Sequence, residues 1–141
     1  AAWGKSPVEE RNRRSVYIYV KRSLHEPFLS AFDWADTDNT CDVRFVTTVP
    51  TQTLTLLNSK FLNDSAESLA KSLAKAVPGD SKAQVTRALH LATSRKPTGE
   101  EVDDGLELIH GLKAEAKLDD NEALQRFCLL VLNLNEFLYL D

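Results

Sequence analysis

Apolar residues recur at helical spacing along most of the chain. Phe61, Ser65, Leu69 and Leu73 lie four apart, with Leu62 and Ala66 adjoining. That pattern predicts an amphipathic helix, which Pro78-Gly79 stops. Asp80 or Ser81 caps the next helix, with Gln84 three residues after Ser81, and Val85, Ala88, Leu89 and Ala92 form its inner face. Lys96-Pro97 breaks it. Thr98 and Glu101 then make a T-x-x-E capping box, and Val102, Leu106, Ile109 and Leu112 follow on one stripe. Asp120 or Asn121 starts a last helix along Leu124, Phe127, Cys128, Val131 and Leu134.

The first third is less regular. Ser6-Pro7-Val8-Glu9 reads as a capped helix start, and Val16, Val20 and Leu24 carry the helix to about residue 24. A short buried strand over Ser15 to Val20 is the alternative. Pro27 opens a short helix through Phe32. Residues 33–42 hold four acids and no base and read as an ordered acidic loop. Residues 43–49 are β-branched and expected to be extended. Pro50 starts a helix through Leu54 and Leu57 that ends near Asn58. Six or seven helices with short loops predict an all-α, compact, bundle-like domain with one irregular acidic loop.

Composition changes this picture little. At 141 residues, 43% hydrophobic and 27% charged, the chain matches one globular domain over residues 1–141. The net charge of −4 argues against a dedicated nucleic-acid binder. Residues 1–22 hold six basic and two acidic groups, a local surplus of four positive charges that leaves −8 on the rest. No apolar run approaches the roughly 18–20 residues of a membrane span. The chain contains no Met, which points to a piece of a longer protein.

Candidate chemistry is sparse. His25, His90 and His110 are scattered, and there is no C-x-x-C-H, Walker or G-x-S-x-G pattern. Cys41 and Cys128 read as a loop thiol and a buried thiol, with a disulfide as the alternative. Asp36, Asp38, Thr40 and Asp42 alternate like calcium ligands, but Cys41 stands where the EF-hand Gly belongs and Thr47 where its Glu belongs. The pairs Glu100/Glu101 and Asp103/Asp104 suit the positive end of a helix better than acid–base catalysis. Trp3, Tyr17, Tyr19 and Trp34 are expected to pack rather than to stack a ligand.

Several stretches fall in a characteristic order: RRSVYIYVKR at 13–22, FDWAD at 32–36, C-x-x-R at 41–44, TTVPTQTLTLLNSKF at 47–61, R-K-P-T-x-x-E at 95–101 and LQRFCLLVLNLNEFLYLD at 124–141. The chain thereby resembles the C-terminal domain of unknown function (PSD type) of planctomycete cytochrome c-associated surface proteins. Trp34-Ala35 departs from the pattern, where a Pro is common before the second Asp. The resemblance implies a C-terminal part of a larger, exported, multidomain protein in an extracytoplasmic setting. Haem c would sit in another domain of that parent, so no cofactor is expected in this chain. The resemblance supplies no catalytic residues to carry over to this chain. Arg14, Asp33, Arg44, Gln52 and Asn58 match the family's polar motif positions. They are expected to form a buried or cleft-lining network joining the first helices to the acidic loop. The leading expectation is a non-catalytic helical interaction module that binds a neighbouring domain of its parent chain or another protein. The alternatives are part of a polysaccharide-degrading enzyme and a carbohydrate- or calcium-binding module.

Overall fold

A computed structural model describes residues 7, 13–18, 27–35 and 49–139. All regular elements among them are helical, so the fold is all-α. The chain parts into two compact units, residues 1–52 and residues 53–141.

In the first unit, Ser15–Tyr17 form a single 3-10 turn, with Arg14 (φ −57°, ψ 145°) before it and Ile18 after it both extended. The continuous helix expected across this stretch is therefore interrupted at 14–18; the remainder of 6–24, including the proposed Ser6 cap, lies outside the described residues. The Arg13 guanidinium sits 5.9 Å from the centre of the Tyr17 ring. Helix α1 (Pro27–Ser30) is one turn long. Its Leu29 carbonyl accepts from both Phe32 N (3.0 Å) and Trp34 N (3.2 Å), and Asp33 turns left-handed at φ +57° between them. Short polar Asp tolerates that region better than most residues. The Phe28 and Phe32 rings pack at 5.4 Å across this turn. The rest of the acidic loop and the expected extended segment 43–48 lie outside the described residues.

Helix α2 (Pro50–Asn58) begins at Pro50, as its fixed φ suits a first helical position. It is followed by α3 (Lys60–Ala76), α4 (Ser81–Thr93), α5 (Gly99–Glu115), α6 (Asp120–Val131) and the single-turn α7 (Asn135–Leu138). Helix α3 packs most extensively on α6. Helix α5 packs on α4 and α6, α4 also touches α3 and α6, and α7 lies against α4. The core of this unit is Ala66, Leu73, Val85, Ala88, Ile109, Ala123, Phe127, Cys128 and Val131, each at most 2% exposed.

Local signals place most helix ends. Gly79 (φ +74°) closes the α3–α4 turn, and Asp80 rather than Ser81 caps α4 by accepting from Ala83 N at 2.9 Å. Gln84 therefore does not serve a Ser81 box. It is buried, and its Nε2 donates to the Val77 carbonyl at 2.7 Å, tying the end of α3 to α4. Helix α6 is capped by Asp119, just ahead of the expected Asp120 or Asn121, because Glu122 completes a reciprocal box with it. Leu134 falls beyond α6 and precedes α7.

The buried face of α3 is Leu62, Ala66, Ala70 and Leu73, rotated from the expected stripe; Phe61 stays 57% exposed. Small Ala66 and Ala70 lie on that buried face, while the larger Phe61 is left outside it. On α5 the backbone itself approaches its neighbours. A Cβ on Gly105 would lie 2.8 Å from Val85 Cγ1 and 3.0 Å from Phe127 Cε2.

Candidate functional site

A dense polar constellation among the described residues of the second unit is the corner between α4 and α5. Helix α4 stops because Ser94 turns left-handed at φ +57°. Thr93 Oγ1 donates to the Leu89 carbonyl at 2.9 Å. His90 Nδ1 lies 2.9 Å from the Arg95 carbonyl. A carbonyl only accepts, so this contact places a proton on Nδ1. Thr98 then opens α5 with a complete capping box. Its Oγ1 accepts from Glu101 N at 3.2 Å, and Glu101 Oε2 accepts from Thr98 N at 2.7 Å.

The same Glu101 carboxylate receives a two-pronged contact from Arg95. Nη1 donates to Oε2 at 3.0 Å and Nη2 to Oε1 at 2.6 Å. Arg95 Nη2 also lies 3.1 Å from each oxygen of Glu136, 41 residues further on in α7. One guanidinium thus holds two carboxylates, leaving one surplus negative charge. The Arg95 guanidinium, then the Thr98 backbone N–H, hold the Glu101 carboxyl down at about 2. The two carboxylates in turn raise the Arg95 pKa. Beside this triad lies a cleft of about 250 Å³ lined by Leu89, Thr93, Arg95, Glu101, Leu134, Asn135 and Glu136. That is just under the roughly 300–1,000 Å³ of ordinary ligand pockets.

Chemically, this corner is suited to holding elements together. A carboxylate at about 2 is an anion throughout the neutral range and has no proton to give. The Cys128 thiol is completely buried, and burial pushes it up to about 12, away from nucleophilic thiolate character. Cys128 is a free thiol, while Cys41 lies outside the described residues. Among the described residues, no three or more His, Cys, Asp or Glu side chains gather as a metal site would require. No described helix is long and apolar enough to cross a membrane.

The polar positions singled out in the sequence fall as follows. Arg14 is exposed and accepts from Tyr17 N through its carbonyl. Asp33 is half-buried at the left-handed turn after α1. Arg44 lies outside the described residues. Gln52 and Asn58 sit near opposite ends of α2. Gln52, only 3% exposed, accepts from Val49 N at 3.3 Å through Oε1. It thereby covers a backbone donor at the helix start, where Val49 has no polar side chain to cap. Asn58 Nδ2 donates to the Leu54 carbonyl at 2.9 Å in the last turn. Asn63 continues the pattern, with Nδ2 donating to Leu57 O (3.0 Å) and Ser59 O (2.9 Å) across the α2–α3 junction. Gln52 and Asn58 thus each serve an end of α2.

Sequence reasoning found the Thr98–Glu101 box but not the second role of Glu101. An arginine three residues before the cap was the available signal for the Arg95 contact. Nothing in the sequence pairs Arg95 with Glu136.

A family model described as PSD1, protein of unknown function (DUF1553), matches residues 1–109. The match includes Arg14, Asp33, Arg44, Gln52, Asn58, Arg95 and Glu101, and ends before Glu136. No curated protein and no solved structure matches the chain.

Proposed function

The chain belongs to the PSD1 family of proteins of unknown function (DUF1553), and from that premise we propose that it is a non-catalytic helical interaction module of a larger protein. The observation that carries this reading is a set of exposed large apolar residues on the second unit. Leu54 (56% exposed) and Leu57 (38%) lie three residues apart on α2, and Phe61 (57%) follows at the start of α3. Residues 45–59 carry no charged side chain. Exposed large apolar groups such as Leu54 and Leu57, in an uncharged stretch of chain, have the composition of an interface core. The α4–α5 corner supports the same reading, because Arg95 holds the Glu101 carboxyl well below the usual carboxylate range and so without a proton to give.

The order of motifs from residue 13 to residue 141 supports a planctomycete, exported, cytochrome c-linked parent protein, with haem c carried on another domain. The partner in this reading is a neighbouring domain of that parent. The test is a calorimetric titration of the full chain against the upstream part of the parent protein, repeated with Leu54→Ser and Phe61→Ser. Saturable binding by the parent sequence, weakened in variants of unchanged helicity, is the expected result. Absence of binding, or binding indifferent to both substitutions, overturns the proposal.

A further inference from the structure

Helix α7 is attached to the bundle differently from the others. It is a single turn, none of its four residues is buried, and its N-cap Leu134 offers no side-chain hydrogen bond. Phe137 and Tyr139 are 42% and 37% exposed. Its Glu136 makes a long-range polar contact to Arg95, a guanidinium already engaged by Glu101 at shorter distances. Glu136 is the looser partner. Both of its oxygens share one Nη2 at 3.1 Å, and its side chain is 55% exposed. Leu134, Asn135 and Glu136 form one wall of the cleft, and Leu89, Thr93, Arg95 and Glu101 form the other.

We propose that α7 is an electrostatically latched strap across this cleft, closed by the Glu136–Arg95 contact and able to open without unfolding of the α3–α6 bundle. An element with little burial, held in part by an exposed ion pair, opens at a small fraction of the global unfolding free energy. Opening separates the two walls and uncovers the Leu89 side of the cleft. The bundle keeps its corner when the strap leaves, because Glu101 retains its two-pronged Arg95 contact and its capping box. Ionic strength sets the balance. Glu136 and Arg95 are both solvent-accessible, so their attraction is screened as the Debye length falls from about 10 Å at 0.1 M to about 3 Å at 1 M salt.

Hydrogen exchange of the full chain tests this. The reporters are the amides of Phe137, Leu138 and Tyr139, which donate to Leu134 O, Leu134 O and Asn135 O. Glu136→Ala is expected to accelerate their exchange about two- to fivefold, the scale of an exposed ion pair. Raising salt from 0.05 to 1 M is expected to do the same in the unsubstituted chain and little in Glu136→Ala. The amides of Leu124 to Val131 are expected to hold their rates. Unchanged exchange at 137–139 overturns the latch. Equal acceleration at 124–131 overturns the strap, since α7 would then open only with the bundle.

Discussion

The glycines of α5 offer a test in which two chemically identical substitutions should have opposite signs. In a helix interior, Gly→Ala ordinarily stabilises by about 1 kcal/mol, because glycine loses more backbone freedom on folding. At Gly111 nothing lies within 4 Å of an added Cβ, so Gly111→Ala should show that gain, about 0.5–1 kcal/mol. At Gly105 the new methyl would meet Val85 Cγ1 at 2.8 Å and Phe127 Cε2 at 3.0 Å. Carbon atoms prefer roughly 3.5–4.0 Å, so one partner must retreat by nearly 1 Å. Val85 is 0% and Phe127 1% exposed, which leaves neither an open direction. Overpacking of this kind costs about 1–3 kcal/mol, which outweighs the helical gain. Gly105→Ala should therefore fall about 2 kcal/mol below Gly111→Ala. For a chain of this length that corresponds to a Tm difference of about 4–8 °C. Urea unfolding followed by helical circular dichroism at 222 nm reads the difference as a shift in midpoint at constant slope. Val85→Ala should relieve part of the Gly105→Ala penalty in a double-mutant cycle. If Gly105→Ala stabilises as much as Gly111→Ala, the close α4–α5–α6 approach is wrong.

Three further outcomes follow from the same structure. Thr98→Ala should destabilise by about 1 kcal/mol in thermal unfolding, the usual scale of a lost N-cap. The Glu101 carboxyl, held at about 2 against an ordinary 4.5, contributes stability that is complete above about pH 4.5 and lost as pH falls toward 2. Glu101→Gln should remove that part of the acid dependence, and a carboxyl NMR titration should locate the midpoint near 2. The Cys128 thiol, pushed from 9.0 to about 12, contributes stability that is complete below pH 9 and lost as pH rises toward 12. It should react with a thiol reagent at pH 8 only as fast as the bundle opens, and Cys128→Ala should flatten the alkaline limb of stability; rapid labelling of native protein refutes its burial.

The legible parts of this protein share a short range. The Thr98–Glu101 box, the Pro50 start and the Pro78-Gly79 stop each involve groups within a few residues, so their chemistry is visible in a short window. The small shifts at Asp80 and Asp119 arise where neighbouring residues compete for one cap. At α6, Glu122 decided the outcome by reaching back to the Asp119 backbone. The interruption at Ser15–Tyr17 escaped the apolar spacing, because Val16 and Tyr17 stay about 70% exposed and that spacing does not mark a buried stripe. Of the polar positions, Gln52 and Asn58 have a reading in α2, where each meets a backbone partner three or four residues away.

Sequence alone determined the all-α class, the four long helices α3 to α6 and most of their ends, since hydrogen-bonded caps and breakers act locally along the chain; the break after Val131 and the separate turn α7 were not legible in it. Tertiary structure decided which stripe of α3 is buried, why glycine stands at 105, and that Arg95 meets Glu136 across 41 residues. Those outcomes depend on how closely two helix surfaces approach and on which side chains then fall opposite one another, and spacing within a single helix carries no record of its partner.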